Sequence, residues 1–205
     1  MILNKDLKKR LLTISYKKGL SHLGSCLTMV DLLDEVYSIK KSKDKVILSA
    51  GHSGLSLYVV LEKYEGRNAE ELFDKHGVHP NRDTENGIWV SSGSLGHGLS
   101  ISLGMAIARP DIDIYCLTTD GEWAEGSCAE AHRIWKRNNV SNLKIYLNFD
   151  EYSAYDKTYL GEMPQVTKTY ITNFDLLMPI LKEPQEAHYV ILDKKKYDIV
   201  MKQLE

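Results

Sequence analysis

Residues 112–122 read Ile112-Asp113-Ile114-Tyr115-Cys116-Leu117-Thr118-Thr119-Asp120-Gly121-Glu122. Over 112–118 the chain is apolar without clean two-residue alternation, the pattern of a strand buried on both faces, and Asp120-Gly121 stops it with a turn. A helix is expected near 126–138, and a second buried strand over 145–149 is closed by Asp150. Strand, acidic turn, helix and strand make the repeating unit of a parallel α/β sheet, where function gathers at the carboxyl ends of the strands.

The same order recurs upstream. Val46-Ile47-Leu48 precedes the small-residue turn Ser49-Ala50-Gly51-His52-Ser53-Gly54 and an apolar helical run over 55–61. Gly93-Ser94-Leu95-Gly96-His97-Gly98 opens another apolar helix over 99–107. Near the N-terminus, Leu7, Leu11, Leu12 and Ile14 fall at helical spacing among lysines, with Gly19 placed to end that helix. Ser21-His22-Leu23-Gly24-Ser25 reads as a loop, and Thr28, with Asp31 three residues on, as the cap of a second helix. Residues 74–92 are polar and turn-rich and read as a long ordered loop. In the tail, 151–170 is polar and Tyr-rich, 174–182 suggests a short helix, 188–192 a last strand and 195–205 a closing helix. The expected fold is α/β, a mostly parallel sheet with helices on both faces, in a single domain over 1–205.

Composition narrows the function classes. The 26 basic and 28 acidic residues nearly cancel, so no field favours nucleic acid or an anionic membrane. Cys26, Cys116 and Cys128 are odd in number and widely spaced, which suggests neither a disulfide framework nor a zinc site. Charges interrupt the first residues where a signal peptide needs an apolar core, and no later run is long enough to span a bilayer. A cytoplasmic protein with reduced thiols is the expectation.

Three glycine-containing turns, at His52, Gly96 and Asp120-Gly121, are where a sheet of this kind would meet a phosphate-bearing ligand, because helix starts expose unpaired N–H groups and glycine admits close approach. Gly93-x-x-Gly96-x-Gly98 reverses the glycine spacing of a dinucleotide fingerprint and lacks its strand and acidic partner, which excludes that reading. Asp120 and Asp150 close successive strands thirty residues apart. They are either a pair for a hard divalent cation, which commonly takes one or two carboxylates plus phosphate oxygens, or an ordinary cap and turn residue. His22, His52, His76, His79 and His97 all fall in loops or turns beside small residues, five of seven histidines in the chain. Imidazoles so placed can donate to phosphate or hydroxyl oxygens and exchange protons near neutral pH. Glu125 reads either as a solvated first-turn carboxylate or as a functional one.

In order, SHLGSCLTMVDLL, VILSAGHS, a His-Pro segment, SSGSLGHGLS, TDGEWAEGS and NFD resemble the N-terminal, diphosphate-binding domain of transketolases over roughly residues 10–160. The resemblance implies thiamine diphosphate held with Mg²⁺, or Ca²⁺ or Mn²⁺ in its place. It assigns His22 and His79 to the sugar and active-site loop. It assigns His52, Gly93, Leu95, Gly96, His97, Asp120, Gly121, Glu122 and Asp150 to the cofactor. Asp120, Asp150 and the main-chain carbonyl of Tyr152 would ligate the metal, and Glu125 would lie at a subunit interface. Two positions depart from the family pattern: Thr119 stands where glycine is usual, and Asp150 where asparagine is usual.

Family chains continue into a pyrimidine-binding domain whose glutamate activates the cofactor, and into a C-terminal domain, neither of which fits here. The resemblance therefore implies the small subunit of a split transketolase that pairs with a separate pyrimidine-domain subunit into a heterotetramer. Together they would transfer a two-carbon ketol unit between phosphorylated or nucleotide-free sugars. The alternatives are a different thiamine-diphosphate reaction, such as a decarboxylative carboligation, and a non-catalytic scaffold of the same fold.

Overall fold

The computed structural model describes residues 3–154 and 156–205. Four strands, β1 (Lys45–Leu48), β2 (Ile114–Thr119), β3 (Leu143–Phe149) and β4 (Lys168–Ile171), form one parallel sheet in the order β1-β2-β3-β4. Lys45 pairs with Ile114, Ile114 with Leu143 and Tyr146 with Lys168, so the strands run in one direction and present their carboxyl ends along one edge.

Side chains alternate across this sheet, yet both faces are apolar. Val46, Leu48, Tyr115, Leu117 and Tyr146 join one core with α1 (Lys5–Lys18), α2 (Leu23–Ile39) and α3 (Gly54–Glu65). Ile47, Ile114, Cys116, Leu143 and Ile145 join the other with α5 (His97–Ala108) and α7 (Gly126–Asn138). A sheet covered on both faces removes the need for polar alternation, which is why these strands read as continuous apolar runs. The expected fold class is the observed one. All three cysteines are free and buried, and among the described residues no helix is long and apolar enough to cross a membrane.

Several boundaries differ from the sequence reading. α2 begins at Leu23, so Thr28 is a buried helical residue whose hydroxyl donates to Ser25 O, and Asp31 pairs with the buried Lys8 at 2.6 Å. The long loop begins only after α4 (Ala69–His76), whose start Asn68 caps by accepting from the Glu70 and Glu71 N–H groups. The strand expected over 188–192 is absent; Pro184–His188 is a 3-10 turn, and the fourth strand is β4, at the end of the Tyr-rich segment. β4 is an edge strand with Ile171 85% exposed, so burial imposes no apolar run for the sequence to display. The helix expected over 174–182 shrinks to the turn Met178–Ile180, and the closing helix α8 spans Lys194–Lys202.

Candidate cofactor cleft

A cleft of about 200 Å³ opens at the carboxyl edge of the sheet. β1 delivers His52 through the turn Gly51–Ser53, and the Gly93 loop packs directly on that turn. A Cβ on Gly51 would lie 2.3 Å from the Ser92 carbonyl carbon, so only glycine permits the contact. Gly93, at φ 151°, brings its backbone against the His79 ring. β2 ends at Thr119, where the single-turn helix α6 (Asp120–Trp123) delivers Asp120 and Gly121; β3 ends at Phe149 and delivers Asp150.

The two aspartates line the cleft, Asp120 buried at 0% exposure in its floor, with their orientation set by main-chain donors. Asp120 Oδ1 accepts the Gly121 N–H at 3.0 Å and Oδ2 the Glu151 N–H at 2.8 Å. Asp150 Oδ1 accepts the Tyr152 N–H at 3.0 Å. Burial pushes Asp120 up to about 6; burial and then the charge of Asp120 push Asp150 up to about 7. No Lys or Arg is among the described residues lining the cleft, so this pair has no resident counter-charge there. Among the described residues no three His, Cys, Asp or Glu side chains converge at metal-binding spacing. Two carboxylates beside an open cleft suit a divalent cation that takes its remaining oxygens from elsewhere, as Mg²⁺ with a diphosphate does. The residues present fit that group.

Four imidazoles share the cleft with the aspartates. His22 lies 5.8 Å from His52, 6.0 Å from His79 and 4.2 Å from His188 between ring centroids. Burial, followed by neighbouring imidazoles, lowers His22 to about 4 and His52 to about 3; burial also lowers His188. The His22 and His52 rings are neutral at pH 7, each offering one donor and one acceptor, and His22 Nδ1 is buried without a protein partner. Such a wall suits hydroxyl and phosphate oxygens.

Of the residues expected from sequence, His22, His52, His79, Gly93, Leu95, Asp120, Gly121, Asp150 and Tyr152 line this cleft. Three do not. His97 is exposed at the start of α5, Gly96 is buried, and Glu122 is wholly buried behind the cleft. His76 bonds Asp83 at 3.1 Å, away from the cleft lining, and Glu125 is exposed. Sequence reasoning did not find Ser25, Ser153, Ala154 and His188. The small-residue character of Ser21–Ser25 is a signal for Ser25; nothing local marks His188. A larger groove of about 370 Å³ between α1, α2 and β4 contains the Lys8–Asp31 pair, already satisfied internally.

The family model described as "Transketolase, thiamine diphosphate binding domain" matches residues 21–153. The chain is 35% identical over 157 residues to one of the named subunits of the apulose-4-phosphate transketolase of Phocaeicola vulgatus, covering 66% of this chain and 55% of that protein. It is 30% identical over 145 residues to a transketolase of Mycobacterium tuberculosis, covering 58% of this chain and 20% of that protein. The chain thus spans about half of the first relative and a fifth of the second. Transketolase from Campylobacter jejuni shares the fold with a TM-score of 0.63 at 21% identity, over 98% of this chain and 34% of that one. Transketolase from Leishmania mexicana does so with a TM-score of 0.62 at 24% identity, over 78% and 29%. With the match spanning the turns at His22, His52, Gly93 and Asp120 and reaching past Asp150, this chain belongs to the transketolase thiamine diphosphate binding domain family.

Proposed function

We propose that the chain acts as one diphosphate-binding domain, takes thiamine diphosphate with Mg²⁺, and forms a split transketolase with a separate pyrimidine-domain subunit. The single observation that carries this reading is the placement of Asp120 and Asp150 on adjacent strand ends, together with His52 and Gly121, in a cleft whose described lining holds no lysine or arginine. Asp120, Asp150 and the Tyr152 carbonyl hold the metal; His52 and the Gly93–Leu95 loop meet the diphosphate. When bound, the cofactor supplies the stabilised carbanion needed for ketol transfer. His22 and His79 beside it orient sugar hydroxyls.

The name of the Phocaeicola vulgatus relative, one subunit of a transketolase for a sugar phosphate, supports a phosphorylated sugar substrate and a second subunit here, which we assign to a heterotetramer. A cytoplasmic location accompanies this reading. The scaffold alternative is favoured by Thr119, only 6% exposed, which borders the cleft where the family has glycine.

Calorimetric titration of thiamine diphosphate with Mg²⁺, with and without the candidate partner, tests the proposal. Binding that strengthens with the partner and drops at least about tenfold in Asp120→Ala supports it, the loss corresponding to about 1.4 kcal/mol. No binding in a confirmed complex leaves the scaffold reading.

A further inference from the structure

Behind the cleft, Glu122 is 0% exposed and makes three hydrogen bonds, two to distant segments and one back to the start of its own turn. Its Oε1 accepts the Ser49 hydroxyl at 2.6 Å, from the end of β1, and the Gly96 N–H at 3.0 Å, from the glycine loop. Its Oε2 accepts the Thr119 N–H at 3.2 Å, from the end of β2. No Lys or Arg is among these partners. A buried carboxylate is costly unless its oxygens are satisfied, so its presence in a dry position makes these donors mutually dependent.

The same segments interlock sterically. A Cβ on Gly98 would lie 2.5 Å from Ser49 Cα, and one on Gly96 would lie 3.0 Å from Glu125 Cβ. Backbone approaches this close leave the loop little freedom once one anchor is set. Glu122 is that anchor, because its carboxylate, held at the end of β2 by the capping bond from Thr119, ties the glycine loop and the end of β1 to that point.

We infer that Glu122 is a positioning residue that sets the width of the diphosphate cleft. It fixes the loop carrying Gly93 and Leu95 relative to the β2 end carrying Thr119 and Asp120, without itself touching the ligand. This rests on the reading of the cleft as a diphosphate site. Two acceptor oxygens meeting three donors is a task for carboxylate. Glutamine retains one acceptor but turns an N–H₂ group toward a donor; alanine orphans all three.

The test compares wild type, Glu122→Gln and Glu122→Ala by amide hydrogen exchange on the ligand-free chain and by calorimetry with Mg²⁺ and inorganic pyrophosphate. Orphaning a buried donor corresponds to roughly fivefold to hundredfold changes in equilibrium. Exchange at Gly96 and Thr119 is therefore expected to rise at least about tenfold in Glu122→Ala relative to Ile145, with pyrophosphate affinity falling by a similar factor. Glu122→Gln is expected to lie between, and it carries the test if the alanine variant does not fold. Unchanged amides in a folded variant overturn the tie, and loosened amides with unchanged affinity overturn the positioning role. If wild type binds no pyrophosphate, with or without the partner, the diphosphate reading and the ligand half of this inference both fall, while exchange still decides whether Glu122 holds the loops.

Discussion

His22 and His188 meet edge to face with ring centroids 4.2 Å apart, and the His22 backbone N–H donates to the His188 carbonyl at 2.8 Å. That backbone bond helps hold His22 at φ 62°, a left-handed conformation uncommon for residues other than glycine. A residue just before α2 and one in the tail thereby share one wall of the cleft.

Removing the His188 side chain leaves the backbone bond but takes away both cover and a neighbouring charge site. His22, held at about 4 by burial first and His188 second, is expected to titrate closer to its ordinary value near 6.5 in His188→Ala. An NMR titration of the His22 ring checks this; an unmoved titration overturns it. The sign for stability follows from the same shifts. Below about 6.5 the unfolded chain binds protons that folded His52 and His22 do not, so the contribution of these two rings to stability falls as pH drops from about 6.5 toward 4, while the raised Asp120 and Asp150 contribute with the opposite sign over the same range. His52 contributes a slope of at most about 1.4 kcal/mol per pH unit, so the urea midpoint of His52→Gln is expected to gain relative to wild type as pH falls from about 6.5 toward 4.

Two glycines should answer alanine oppositely. At Gly51 the new Cβ meets the Ser92 and Gly93 backbone at 2.3 and 2.4 Å, so Gly51→Ala is expected to destabilise by roughly 2–4 kcal/mol and displace the Gly93 loop. At Gly104, within α5, a Cβ meets nothing within 4 Å, so Gly104→Ala is expected to stabilise the isolated chain by about 0.5–1 kcal/mol. Denaturant midpoints of the two variants test both signs.

Asp31 accepts from Lys8 at 2.6 Å and from Asn4 at 2.9 Å in a largely buried position. Asp31→Ala strands the Lys8 ammonium, at a cost of about 3 kcal/mol, whereas the double change Asp31→Leu with Lys8→Met is expected to lie closer to wild type. A double-mutant cycle measured by urea unfolding separates the pair from its surroundings; an Asp31→Ala midpoint equal to wild type contradicts the assignment.

The sequence by itself determined the layered fold and most of one cleft wall. Buried strands such as 114–119 must be apolar on both faces, and the turns at Gly51, Gly93 and Asp120 need small or acidic residues, so both leave local signatures. Only the tertiary structure decided the remainder. β4 is a half-exposed edge strand and carries no buried pattern, and His188 reaches the cleft by packing of the tail on α2. Glu122 follows Asp120 closely in sequence, yet it points into the dry interior while Asp120 lines the cleft. Which way each carboxylate turns depends on donors from Ser49, Gly96 and Glu151, residues distant in the chain that only folding brings within hydrogen-bond reach.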